Sequence, residues 1–268
     1  MNSLPDYHIH TSLCKHAVGE AAEYKSAAHR LKIPEMCFTD HVPSMGGYDP
    51  EHRMALETFP RYREMVAAIQ GRGHNPEVLF GIEADYYAGC EDVLKKWISA
   101  HEFDFVLGSV HFINGWGFDN PDERHVWDSV DVAATWREYF EAVSKLAATG
   151  LFDAVGHLDL PKKFGYRPSE GALKEMIRPA LDGIAEARMG IEINTAGLRK
   201  PVKEIYPSLE ILAMAQKRAI PICFGSDAHS PAEIGAGFDL AVRLAKEAGY
   251  MDYFRIRKRK KWLVPLEG

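Results

Sequence analysis

Cysteine is scarce in this chain, and its few thiols are not spaced for bridging or for binding zinc. There are four, Cys14, Cys37, Cys90 and Cys223, and no two of them form a CxxC pair. Such irregular spacing disfavours both a disulfide framework and a cysteine-rich zinc finger. We therefore expect a protein of a reducing compartment, the cytoplasm.

The sequence also lacks a leader segment, long apolar runs and an excess of positive charge. The opening residues MNSLPDYHIH contain no basic stretch followed by an apolar one, and no apolar run approaches 18 residues. A signal peptide and a transmembrane helix are therefore not expected. The net charge is −6 and the isoelectric point is about 6.1. This balance disfavours a nucleic-acid binder and a basic membrane-surface protein, so we expect neither nucleic acid nor membrane as a partner.

Glycine-rich phosphate loops are absent as well. There is no GxGxxG after the first predicted strand and no GxxxxGK[ST] anywhere, which disfavours nucleotide-binding doubly wound folds. Short apolar segments instead alternate with longer amphipathic ones. Strands are predicted at 6–10, 35–40, 77–85, 103–111, 152–159, 190–196 and 220–227. Helices are predicted near 20–31, 55–70, 131–148, 170–188, 205–218 and 236–248. The alternation predicts a parallel α/β barrel, with residues 1–268 as a single domain.

Every predicted strand ends in polar side chains that can bind a metal or exchange a proton. In chain order they are His8 and His10, Asp40 and His41, Glu83 and Asp85, His111, His157 and Asp159, Asn194, and Asp227 and His229. The carboxyl ends of parallel barrel strands meet on one face, where active sites are built. We therefore expect these side chains to converge on one site.

The spacing of these residues favours shared ligation. His8 and His10 lie two apart on a strand and point to the same side, as do Asp227 and His229, and His16 follows in the next loop. Imidazoles combined with carboxylates suit zinc, iron or manganese. Any one of these histidines alone would more often be an ordinary polar residue of the core or surface, but their joint placement favours a metal site. We interpret the remaining histidines, His29, His52, His74, His101 and His125, as surface or structural residues.

Several segments of the sequence resemble one known family. "DYHIHTS…H", "FTDH", "GIEADY", "GSVHF", "GHLDL", "EINTAGLRK" and "GSDAH" are similar to motifs of the polymerase-and-histidinol-phosphatase (PHP) superfamily. The likeness runs from residue 6 to about residue 230. Within the superfamily, the chain length and the "EINTAGLRK" segment resemble the stand-alone histidinol-phosphate phosphatases.

The resemblance implies a distorted (β/α)7 barrel that holds three divalent metal ions at the C-terminal ends of its strands. By position, one ion is expected at His8, His10, Glu83 and Asp227, a second at Glu83, His111 and His157, and a third at His16, His41 and His229. The implied substrate is L-histidinol phosphate, in histidine biosynthesis. Bridged ions lower the pKa of a shared water, so the expected reaction is attack of a metal-bridging hydroxide on phosphorus.

The substrate's phosphate requires fixed cations as well. Arg199 is the first candidate, with Lys162 or Lys163 as a second, although each could be a solvated surface charge. The leaving group needs a proton, from Asp227, His229 or a metal-bound water, and the sequence does not choose among them. The groups that could contact the ammonium and the imidazole are Asp85, Asp119, Asp159, Phe112 and Trp116, and Asp85 and Asp159 could instead orient ligand histidines.

Other functions remain open at this point. One is a different PHP phosphoesterase, either a nuclease or phosphodiesterase, or a phosphatase for phosphotyrosine or another small phosphate. A metal-stabilised binding protein is an alternative of another class. The basic run RIRKRKKW at 255–262 could touch nucleic acid or attract an anionic substrate, but we favour a solvated face or a last strand.

Overall fold

Seven parallel strands form the frame of the protein, which the computed structural model describes over residues 4–71 and 75–267. The strands, in chain order, are β1 (Asp6–Ile9), β2 (Glu35–Phe38), β3 (Glu77–Asp85), β4 (Phe105–Ser109), β5 (Phe112–Ile113), β6 (Trp116–Gly117), β7 (Ala154–Val155), β8 (Gly190–Asn194), β9 (Ile222–Gly225), β10 (Asp252–Arg257) and β11 (Lys260–Pro265). The parallel sheet has the order β1-β2-β3-β4-β7-β8-β9, and β5–β6 and β10–β11 are separate antiparallel pairs.

The sheet closes on itself where β1 meets β9. The backbone amide of His10 donates to the carbonyl of Ala228 at 2.9 Å, and the amide of Ala228 donates to the carbonyl of His8 at 3.1 Å. These two bonds join the carboxyl ends of the first and last strands in a parallel bridge. The predicted distorted (β/α)7 barrel is therefore confirmed as a nearly closed barrel of parallel strands.

A helix follows each of the seven barrel strands. The helices are α1 (Ala21–Arg30), α2 (Phe59–Ile69), α3 (Glu91–Ser99), α4 (Val132–Ala148), α5 (Glu170–Glu186), α6 (Leu209–Gln216) and α7 (Phe238–Glu247). Local sequence explains several ends: the Asp131 side chain accepts from the amide of Ala134 at the start of α4, and Glu20 and Glu23 form a capping box at α1. Within the described ranges, no helix is both long and apolar enough to cross a membrane.

Two parts of the barrel differ from the sequence prediction. The strand predicted at 152–159 has only two residues, Ala154–Val155, because the backbone of His157 turns into the left-handed region at φ +25° and a short helical turn follows at Leu160–Phe164. Helix α3 was not predicted. The residue before it, Cys90, makes no side-chain capping bond, so the usual signal for a helix start is missing.

The basic run near the C-terminus forms the hairpin β10–β11, which covers the end of the barrel where the strands begin. Arg255 pairs with Glu35 at 2.7 Å, and Arg259 pairs with Asp153 at 3.0 Å. Glu35 is the first residue of β2, and Asp153 directly precedes β7. The prediction of a last strand is confirmed, and its charges pair with carboxylates at the barrel end remote from the strand-end histidines.

Apolar side chains of the hairpin fill the barrel below the predicted site. Phe254 and Ile256 are fully buried and pack in one cluster with Tyr7, Phe105 and Leu107 of the barrel strands. The hairpin thus supplies part of the barrel core as well as ion pairs.

We expect Phe254→Ala to lower the free energy of unfolding by about 3–5 kcal/mol, because it leaves a cavity where an aromatic ring was fully buried. Urea unfolding followed by circular dichroism measures this. Leu263→Ala, in the paired strand but 62% exposed, is the control and should change stability by no more than about 0.5 kcal/mol. Equal losses in the two variants would contradict the packing of the hairpin into the barrel.

Candidate metal centre

Glu83 lies at the centre of the strand-end side chains. It is in β3 and 1% exposed, and its backbone is held by the segment that follows β2: its amide donates to the carbonyl of Asp40 at 3.0 Å, and its carbonyl accepts from the amide of Val42 at 2.7 Å. Its Oε2 lies 3.4 Å from His8 Nε2, 3.6 Å from His10 Nε2 and 2.9 Å from His41 Nδ1. One carboxylate oxygen therefore faces three imidazoles.

The other oxygen of Glu83 faces a different pair of histidines. Oε1 lies 3.1 Å from His157 Nε2 and 3.6 Å from His111 Nε2, and it accepts a 2.6 Å hydrogen bond from the Ser109 hydroxyl. A carboxylate whose two oxygens face separate sets of imidazoles has the arrangement of a ligand that bridges two ions.

Asp227 adds a second carboxylate on the other side of the first two histidines. Its Oδ1 lies 3.3 Å from His10 Nε2, 3.8 Å from His8 Nε2 and 3.4 Å from His229 Nδ1. The backbone of Asp227 is in the left-handed region at φ +52°. Like that of His157, this conformation is uncommon for a residue with a side chain, and such residues cluster at functional sites.

His16 and His229 complete the group of predicted ligands. Their ring centroids are 4.7 Å apart, and the His16 ring is 5.4 Å from that of His41. The rings of His10 and His229 stack with their centroids 4.2 Å apart. The structure thus brings all the predicted ligands together at one end of the barrel. The thiol of Cys14, which the sequence analysis did not select, lies within 4.8 Å of ligand atoms of both His16 and His229.

The hydrogen bonds of this cluster leave several buried atoms unpaired. His8 Nε2, both ring nitrogens of His10 and Glu83 Oε2 are buried and have no hydrogen-bond partner. Buried polar atoms in folded proteins almost always have partners, so unpaired atoms concentrated in one place require an explanation. A set of imidazole nitrogens and carboxylate oxygens facing one another fits divalent metal ions such as zinc.

Electrostatics in the cluster divide the histidines into two groups. Burial disfavours charge on His8 and His10, but the carboxylates around them outweigh burial and raise the pKa of both well above its usual value. Burial, with neighbouring cations, lowers the pKa of His41 and His229 well below the usual value, and burial lowers that of His16 to about 4. The neutral imidazole is the form that binds a metal.

Carboxylates behind the cluster hold two of the imidazoles in place. Glu192 Oε1 lies 2.7 Å from His8 Nδ1, and Asp85 Oδ1 contacts His111 Nδ1. Contacts of this kind fix the orientation and tautomer of a ligand histidine. Asp85, suggested for this role from the sequence, occupies it. Asp159 does not, because its carboxylate pairs with Lys162 at 2.8 Å.

Two residues behind the cluster were not selected from the sequence. Glu192 lies in β8, and a Cβ at Gly225 would fall 1.9 Å from its Oε1, so only glycine fits at that position. Arg53 is 1% exposed and its Nη2 contacts Asp85 Oδ2, although 32 residues separate them in the chain. A charged residue inside the apolar segment GIEIN was an available signal for Glu192, whereas the contact of Arg53 depends on the tertiary fold.

A cavity of about 250 Å³ opens onto the cluster, and it contains some of the predicted substrate groups but not others. Lys163, Asp119 and Phe112 lie on its wall, and Lys163 Nζ pairs with Asp119 at 2.9 Å. Trp116 is outside the wall and packs against Trp127, with centroids 5.0 Å apart.

The structure does not place Arg199 on the cavity wall. Its Nη2 donates to the carbonyls of Ser226 at 2.7 Å and Asp227 at 3.1 Å, and its Nε lies 3.2 Å from Glu233. These contacts hold the loop that carries Asp227. Nη1 of Arg199 is buried and has no hydrogen-bond partner.

His52 was predicted as surface or structural, but it lies on the cavity wall with its ring centroid 5.6 Å from that of His16. Its Nδ1 lies 2.8 Å from Asp49 Oδ1. His29, His101 and His125 are away from the cavity, as predicted, and His74 lies outside the described residues.

Comparison with proteins of known sequence identifies the family of this chain. The PHP domain family matches residues 6–196, and the family described as PHP-associated matches residues 210–249. A Deinococcus radiodurans protein named probable histidinol-phosphatase is 41% identical over 93% of this chain and 95% of its own length. The histidinol-phosphatase of Bacillus subtilis is 27% identical over 87% of this chain and 96% of its own length.

Two solved structures have a fold similar to that of this chain. A Listeria monocytogenes structure has a TM-score of 0.80 and 26% identity, covering 88% of this chain and 99% of its own. The histidinol phosphate phosphatase of Lactococcus lactis, solved with zinc, L-histidinol and phosphate, has the same fold at a TM-score of 0.78 and 21% identity, covering 97% of this chain and 99% of its own. With one family matching residues 6–196 and a relative at 41% identity over almost the full length, the chain belongs to the PHP domain family.

Proposed function

We propose that this protein is a metal-dependent phosphomonoesterase that hydrolyses L-histidinol phosphate to L-histidinol and phosphate, a reaction of histidine biosynthesis. The observation that carries the proposal is the position of Glu83, whose two oxygens face separate sets of imidazoles. The set that faces Oε2 has buried ring nitrogens without hydrogen-bond partners on His8, His10 and His41. The histidinol-phosphatase relatives support the choice of substrate.

The proposed cofactors are three divalent ions of zinc, iron or manganese. The first would bind His8, His10, Glu83 and Asp227, the second Glu83, His111 and His157, and the third His16, His41 and His229. Zinc in the Lactococcus lactis relative supports zinc among these choices. When bound, such ions lower the pKa of water and neutralise charge on phosphoryl oxygens.

The remaining steps involve groups of the chain itself. Lys163 lies on the cavity wall, where its ammonium would attract the phosphoryl group while Asp119 restrains it. Arg199 remains a proposed phosphate ligand through its unpaired Nη1. Its contacts with the carbonyls of Ser226 and Asp227 would also fix Asp227 for its role. Asp227 and His229 are the proposed carriers of the proton to the leaving alkoxide. Both border the cavity, and Asp227 Oδ1 lies 3.4 Å from His229 Nδ1.

We further propose that residues 1–268 act as a single domain in the cytoplasm. In the described structure all four cysteines are buried and unbridged, as expected in a reducing compartment.

The first test is the release of phosphate by metal-replete protein. L-Histidinol phosphate should be hydrolysed with a kcat/KM between about 10⁴ and 10⁸ M⁻¹ s⁻¹, the usual range for an enzyme and its own substrate. Bis-p-nitrophenyl phosphate and phosphotyrosine, assayed in parallel, should be far poorer substrates. Faster cleavage of the diester would instead indicate a phosphodiesterase or nuclease. No turnover of any substrate by protein with bound metal would favour a binding protein.

The second test is Glu83→Gln, which removes the charge from the central carboxylate but keeps its size. The variant should lose most of its bound metal, measured by elemental analysis, and at least about 100-fold in kcat/KM, since even outer contacts of a metal site are worth 10–100-fold. Its circular dichroism spectrum should match that of the parent. Glu64→Gln, at an exposed position of α2, is the control and should retain both metal and activity. Full metal content in Glu83→Gln would refute the bridging role.

A further inference from the structure

The hydroxyl of Tyr206 is buried on the wall of the cavity and has no hydrogen-bond partner. The residue is 1% exposed, and it lines the same cavity as Glu83, Asp227 and Lys163. Five other buried tyrosines of the described structure use their hydroxyls: Tyr7 with Glu35, Tyr24 with Val18, Tyr62 with Gly81, Tyr139 with His157 and Tyr250 with Ile220. The hydroxyl of Tyr48 is also buried without a partner, but Tyr48 is not on the wall of this cavity. A buried hydroxyl without a partner is costly, and at a functional site a ligand is the natural partner.

The ring of Tyr206 is held rigidly. Its backbone amide donates to the carbonyl of Asn194 at 2.9 Å and its carbonyl accepts from the same residue at 2.7 Å, directly at the carboxyl end of β8. The ring packs against Gly197, where an added Cβ would lie 2.9 Å from ring carbon Cε2. Lys162 Nζ lies 5.2 Å from the ring centroid and is itself fixed by Asp159. The hydroxyl therefore has a defined position before any ligand binds.

The surroundings of this hydroxyl keep it protonated, so it can donate a hydrogen bond. Burial, followed by the negative charges of Asp159, Asp119 and Asp227, raises the pKa of Tyr206 above its ordinary value. A phenol that stays protonated suits an anionic acceptor. The same wall carries the cations Lys163 and Lys200. Asp119, the nearby acceptor that could have held a substrate ammonium, is already paired with Lys163.

We propose that Tyr206 is a substrate-binding residue whose hydroxyl donates a hydrogen bond to a phosphoryl oxygen of the bound phosphate monoester. The inference rests on the proposed phosphomonoesterase function. It adds a neutral donor, at the end of β8, to the charged groups already proposed to bind the phosphate.

The test is Tyr206→Phe, which removes only the hydroxyl. Calorimetric titration of metal-replete protein with inorganic phosphate should show at least about 10-fold weaker binding, since a hydrogen bond to a charged group is lost. The kcat/KM for L-histidinol phosphate should fall by a similar factor, while metal content stays equal to that of the parent. The urea midpoint of the metal-free variant should be unchanged or higher, because an unpaired buried hydroxyl has been removed.

Tyr250→Phe is the matched control. Its hydroxyl is also buried but donates to the carbonyl of Ile220 at 3.1 Å, outside the cavity wall. This variant should have a lower urea midpoint and the phosphate affinity of the parent. The pair of variants thus separates a ligand-binding hydroxyl from a structural one.

Three results would overturn the inference. Phosphate affinity within two-fold of the parent in Tyr206→Phe would do so, even if kcat falls, because the hydroxyl would then not contact the phosphoryl group. Loss of metal or of stability in this variant would indicate a structural role. If the metal-replete parent itself neither binds phosphate nor hydrolyses any monoester, the proposed function fails and the inference fails with it. The expected result is weaker phosphate binding and a lower kcat/KM in Tyr206→Phe, with normal phosphate binding by the parent and by Tyr250→Phe.

Discussion

The buried carboxylate of Glu83 is the group on which the rest of the site depends. An ionised carboxylate at 1% exposure is stable only if opposite charges or strong hydrogen-bond donors surround it. Five histidines from four other strand ends surround this one, and their presence lowers the pKa of Glu83 well below its usual value despite burial. A closed barrel is what allows side chains from so many strands to meet at one point.

Carboxylates behind the histidines add to the negative charge of this region. Glu192 and Asp85 stand behind His8 and His111, and Arg53 is the buried cation that partly offsets them. The same excess of negative charge that raises the pKa of His8 also favours divalent cations at its free nitrogen. A divalent ion that bound this nitrogen would therefore have to displace the proton that the same negative charge favours there.

Sequence patterns predicted most of the barrel, and the failures have local physical causes. The bounds of β3 were predicted correctly, since its apolar run is long and bounded by turn residues. The strand at 152–159 was predicted too long because no pattern reveals that His157 adopts a positive φ. The position of the C-terminal hairpin was also beyond prediction, because Arg255 pairs with Glu35 across 220 residues of chain.

Within the site, too, residues at strand ends could be predicted from the sequence and residues on loops could not. Residues at strand ends could be selected because the geometry of a parallel barrel assigns them a common location before any contact is known. Arg53, His52 and Tyr206 lie on loops, and their approach to the cavity depends on how those loops fold. Arg199 shows the converse: its motif indicated a phosphate ligand, yet most of its donors bind the loop that carries Asp227. In this barrel the strand ends position most of the predicted metal ligands, and the loops position several of the groups that border the cavity.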